Sequence, residues 1–104
     1  MTDNEANRDA VYIFATLVAA PGRGAALRLI LEELATVSRQ EPGTQHYHLH
    51  EAIQAPGTFV VYEVYENQAA AAAHAASPHL NAALAAAGPL LGAPPVITTA
   101  SRIS

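Results

Sequence analysis

The segment TQHYHLHEAIQAPGTFVVYEVYE, Thr44 to Glu66, decides the architecture. Its first part alternates strictly, with His46, His48 and His50 on one face and Gln45, Tyr47, Leu49 and Glu51 on the other. A turn over IQAPGT follows. Phe59 to Glu66 then forms a second strand, in which Phe59, Val61, Glu63 and Tyr65 share the face opposite Val60, Tyr62 and Val64. Two segments of period two around a Pro-Gly turn predict an antiparallel hairpin.

Upstream, VYIFATLVA (Val11–Ala19) is rich in β-branched and aromatic residues and reads as a strand covered on both faces. After the turn APGRGAAL, the positions Leu27, Ile30, Leu31, Leu34 and Val37 put one apolar stripe on a helix, which Glu41-Pro42-Gly43 stops. Downstream, Asn67 is a plausible N-cap and Ser77-Pro78 a stronger start signal, Ser as the cap and Pro as the first helical residue. The alanine-rich stretch is therefore expected to form two helices, Gln68–Ala76 and Pro78–Ala87, the second ended by Gly88-Pro89. A last strand is expected over Val96–Ser104. The order β-α-β-β-α(α)-β predicts an α+β, ferredoxin-like split βαβ domain over residues 11–104 with a four-stranded antiparallel sheet. Residues 1–10, polar and mostly acidic, are expected to be a disordered tail.

The 104-residue chain is 51% apolar and only 13% charged, with a formal charge of −4, five Arg and no Lys. Nucleic acid is not an expected partner. With no Cys, disulfides, thiolate metal sites and Cys nucleophiles are excluded. No apolar run reaches the roughly 18 residues of a membrane span, and the start does not resemble a secretory signal, so a cytoplasmic protein is expected. A domain this small buries a limited share of its surface, which makes a second subunit a natural supplement.

His74 and His79 interrupt a segment of alanines. Alanine favours helix but fills little volume, so an alanine helix laid on a sheet leaves space unless sheet aromatics such as Tyr47, Phe59 and Tyr65 fill it. Glu63 stands among apolar neighbours on its strand face and needs a partner there: His74, an Arg, or backbone amides. His46, His48 and His50 suggest metal binding, but the outer two are about 13 Å apart along a strand and cannot readily share an ion. No metal is expected. Gly22-x-Gly24 is a fragment of a dinucleotide fingerprint whose third position is Leu27, and no nucleotide site is expected.

The stretches QEPGTQHYHLHE, FVVYEVYENQAAAAAHAASPHL and PPVITTASRI, in this order and spacing, resemble the antibiotic biosynthesis monooxygenase family over residues 11–104, and its quinol-oxidising branch in particular. The more specific matches are Glu41-Pro42-Gly43 with Tyr47 and His50, Tyr62-Glu63, and His74 with Ser77-Pro78-His79. The resemblance implies a homodimer in which two sheets pack into a dimeric α+β barrel, each subunit with its own pocket. It also implies His74 pointing inward, and small aromatic or quinol-like substrates oxidised by O2 without a cofactor. This chain has Tyr65 where many members have Trp. It has Leu84 where the haem-degrading branch has a ligating His, and no Asn on its first strand, so haem breakdown is not expected.

Proton transfer and shielding from water are enough for oxygenation of an electron-rich phenol. In that reading His74 is the base, Glu63 its orienter and Tyr65 a donor that stabilises the anion. His79 is a second such donor, and Tyr47 and Phe59 contact the ring. An isomerase or tautomerase that uses the same base, and a binding or dimerisation module without turnover, are the alternatives.

Overall fold

A computed structural model describes residues 9–104. The elements are β1 (Val11–Val18), α1 (Gly24–Ser38), β2 (Thr44–Glu51), β3 (Thr58–Tyr65), α2 (Gln68–Ala75), α3 (Pro78–Ala87) and β4 (Val96–Ala100), with a 3-10 turn at Gly88–Leu90. The strands form one antiparallel sheet in the order β2-β3-β1-β4. β1 and β2 thus run the same way with β3 between them, which is the split βαβ arrangement, and all three helices cover one face. The expected tail falls mostly outside the described residues, although Ala10 is buried.

Register explains which residues face the helices. Val11, Ile13, Ala15 and Leu17 of β1 stand opposite Tyr65, Glu63, Val61 and Phe59 of β3, so all eight share the helix-covered face. Tyr47 pairs with Glu63, and Leu49 with Val61. The alternation of β2 is not strict at its start. A bulge between Thr44 and His46 sets Thr44 opposite Tyr65 and leaves Gln45 as the extra residue.

Leu27, Leu31 and Leu34 of α1 are buried against this face, each worth roughly 1.5–3 kcal/mol of apolar burial. The buried stripe ends with Ala35 and Ser38, while Val37 lies at the edge, 36% exposed. The apolar spacing alone included Val37 and could not show that a Ser closes the stripe. Asn67 caps α2 by accepting from the Ala70 amide at 2.9 Å, and Ser77 caps α3 by accepting from Leu80 at 3.3 Å. The final strand is shorter than expected. It stops at Ala100, where its pairing with β1 ends at Tyr12.

Among the described residues, nothing covers the opposite sheet face. Phe14 is 44% and Val18 38% exposed, so the described residues of one chain cover β1 on one side only, where its composition predicted cover on both. On the same face His46 and His48 lie against Tyr62, and His50 makes a contact of 3.1 Å with the Val60 carbonyl.

Candidate active site

Glu63 sits mid-strand on the covered face, between Tyr47 of β2 and Ile13 of β1. Tyr65, two residues on, is fully buried and donates its hydroxyl hydrogen to Glu63 Oε1 at 2.7 Å. Helix α2 lies over this patch. Its alanines let it approach the sheet closely, and its buried positions are Ala71 and His74. The His74 ring stacks on Tyr65, with centroids 5.2 Å apart, and meets the edge of Tyr47 at 5.8 Å. His74 Nε2 is 3.6 Å from Glu63 Oε1.

The shorter carboxylate contact of His74 comes from a residue given no role by the sequence reading. Glu41 Oε1 lies 2.6 Å from His74 Nδ1. The turn after α1 carries it there. The Glu41 amide donates to the Ser38 carbonyl, its carbonyl accepts from Thr44, and Gly43 adopts a φ of +84°. A Cβ on Gly43 would stand 2.6 Å from the Ala70 side chain, so only glycine permits this closeness of turn and helix. The signal was the Glu41-Pro42-Gly43 motif, but its charge lies 33 positions from His74 and only the fold joins them.

Burial governs the electrostatics. It raises the Glu63 carboxyl above the usual 4.5, opposed by the Tyr65 hydrogen bond and by His74, and reinforced by Glu41. Burial likewise pushes both phenols up. For Tyr47 the Glu63 charge adds to it, and for Tyr65 the hydrogen bond to Glu63 does. Neither tyrosine is a base at neutral pH; both are neutral donors.

Beside these groups is a cavity of about 230 Å³ between the sheet and the helices. Tyr47, Glu63 and His74 reach it, among apolar walls that include Ala71, Leu80 and Leu84. The six residues singled out by sequence are not equally placed. Tyr65 lies behind Glu63 and does not line the cavity. His79, at the second position of α3, turns its Nε2 toward Glu41 Oε2 at 3.3 Å, outside the cavity. Phe59 is 1% exposed in the core with Leu27 and Leu31, four residues from Glu63 along β3 and away from the cluster.

The sequence profile of the antibiotic biosynthesis monooxygenase family matches residues 10–86. The chain belongs to this family. Rv0793 of Mycobacterium tuberculosis is 33% identical over 88 residues, covering 85% of this chain and 86% of that protein. The solved structure of Rv0793 superposes with a TM-score of 0.86 at 30% identity, over 91% of this chain and 96% of that one. A structure from Caulobacter crescentus named for the same family gives 0.85 at 28% identity, over 98% and 97% of the two chains. Among the described residues, no helix is long and apolar enough to cross a membrane.

Proposed function

We propose that this protein is a monooxygenase that oxidises a small phenolic or quinol ring with O2, His74 acting as the base. The observation that supports this most is the cavity wall itself: His74, with one ring nitrogen held by Glu41 at 2.6 Å, beside Tyr47 and Glu63 in a hollow that is apolar apart from these groups and Thr99. A dry apolar cavity of about 150 Å³ holds benzene. A hollow of about 230 Å³ therefore suits a substituted ring or two fused rings.

Glu41 accepts from Nδ1–H, which leaves the lone pair on Nε2, the nitrogen on the Glu63 side. Transfer of a proton from an ordinary phenol to an ordinary imidazole is uphill by roughly 3.5 pKa units, about 5 kcal/mol. The Glu41 carboxylate stabilises the imidazolium that forms, and the Tyr47 hydroxyl, a neutral donor, stabilises the phenolate. Glu63, protonated more readily than an ordinary carboxyl, can face that anion with less repulsion. Tyr65 positions Glu63.

The phenolate passes one electron to O2, giving a ring radical and superoxide. Their recombination forms a C–O bond at a ring carbon that bears hydrogen. The imidazolium returns its proton to the peroxide, and loss of water leaves a carbonyl. One oxygen atom enters the product and the other leaves as water. The substrate supplies all the electrons, so the sequence needs no cofactor. The substrate ring itself, seated against the apolar walls, has to keep bulk water from the intermediates.

A second copy covering the bare sheet face would give the homodimer that the family resemblance implies. Exposed Phe14, Val18 and Val96 beside the Tyr62–histidine cluster support that face as the contact.

The test is O2 uptake with a panel of quinols and polyphenols, with an anaerobic arm. The expected result is one O2 consumed per quinone formed and no turnover in His74→Ala. Turnover that continues unchanged without O2 would replace this reading with an isomerase.

A further inference from the structure

Glu41, His74 and His79 converge with one ligand-competent atom each, all within 4.8 Å of one another. We propose that these three side chains bind a first-row divalent cation of the zinc type, at the junction of the α1–β2 turn with α2 and α3. The site rests on side-chain geometry alone and stands whether or not the oxygenation reading holds.

Three observations carry it. First, the set of two imidazoles and one carboxylate is a donor set typical of zinc, with a fourth position left for solvent. Second, His79 Nε2 is shielded from solvent and makes no hydrogen bond among the described residues, although Glu41 Oε2 is only 3.3 Å away. A buried ring nitrogen left unsatisfied beside a carboxylate is costly. Ligands about 2.0–2.1 Å from a tetrahedral ion stand about 3.3–3.4 Å from each other, so the separation of these two atoms already suits a cation bridging them. Third, the other nitrogen of His74 faces Glu63 Oε1 at 3.6 Å, and that carboxylate is itself held by Tyr65. A carboxylate behind a ligating histidine fixes the tautomer that presents a lone pair to the metal.

Binding requires His74 Nδ1 to give up its 2.6 Å contact with Glu41 Oε1 as the carboxylate turns to share the ion. The two uses of His74 therefore exclude each other. With an ion on Nδ1, the ring proton resides on Nε2 and points at Glu63, so the base is lost. The site would thus inhibit the cavity's chemistry, a consequence that, unlike the site itself, rests on the proposed role of His74 as base.

Co2+ serves as the probe, titrated into tag-free, chelator-stripped full-length protein and read by its visible d–d absorption, with Zn2+ as competitor. One tetrahedral site per chain is expected, weakened in both His79→Ala and Glu41→Gln by at least the roughly 10–100-fold that losing a mere outer partner of a ligand costs. Circular dichroism checks that each variant is folded. His48→Ala controls for the exposed histidine strand and should keep the site. The proposal is overturned if wild type binds Co2+ no more tightly than His79→Ala, or if the tight site survives His79→Ala and disappears in His48→Ala.

Discussion

The contact between Glu41 and His74 can be weighed without knowing any substrate. The two side chains are 15% and 5% exposed and their polar atoms are 2.6 Å apart. Surface ion pairs couple by about 0.2–1 kcal/mol, because water screens them and both side chains lose entropy. A hydrogen bond to a charged group, shielded as this one is, contributes about 1.5–3 kcal/mol. A double-mutant cycle with Glu41→Gln and His74→Leu should therefore give a coupling energy of about 1.5–3 kcal/mol at pH 7. Urea unfolding of the four proteins at one fixed concentration measures it, since dimerisation would make stability depend on concentration. The coupling should persist in high salt, where exposed pairs fade. A coupling below about 0.5 kcal/mol would place the pair among incidental surface contacts. It would also remove the argument that Glu41 fixes the ring.

Three further outcomes are expected. The folded-state pKa of Glu63 is raised, so its burial costs nothing while both states are protonated. Stability then falls as pH rises from about the unfolded value of 4.5 through the raised folded one. Glu63→Gln should flatten that decline in urea unfolding between pH 4 and 8, and an identical decline in the variant would refute the assignment. Gly43→Ala should destabilise the fold by roughly 2–4 kcal/mol, from its left-handed backbone and the Ala70 clash, and should displace Glu41; a change under about 0.5 kcal/mol would contradict this. Ala75→Phe, at the cavity wall, should abolish ligand binding while shifting stability by no more than about 1–3 kcal/mol, as isothermal titration with a bound phenol would show.

Much of the fold was legible because its signals are local. The period of two in β3, the period of the α1 leucines and the caps at Asn67 and Ser77 each act within a few residues. The parts that were not legible depend on neighbours distant in sequence. Val37 and Ser38 differ by one position, yet packing against the sheet buries the Ser. The last strand leaves β1 after the Tyr12–Ala100 pair, one residue before β1 itself begins, a fact that no residue after Ala100 announces. The site shows the same division. His74, Glu63, Tyr65 and Tyr47 were singled out from their setting and the family resemblance, and the fold brings them together. Phe59 shares their strand face but points into the core four residues away. Glu41 was visible only as part of a turn motif. Its closeness to His74 is made by the packing of that turn on α2, which Gly43 and Ala70 permit. The second cover of β1 was not legible for a related reason: a strand rich in apolar residues does not show whether that cover is another layer of the same chain.

The central claim is that an imidazole held by Glu41 removes a phenolic proton inside the cavity. A chromogenic nitrophenol, bound anaerobically so that no oxidation follows, reports this through its visible phenolate band. Titrated below the phenol's own pKa, wild type should develop that band on binding, and His74→Ala should bind the probe without it. A bound probe that stays neutral in wild type, or ionises equally in His74→Ala, would contradict the account.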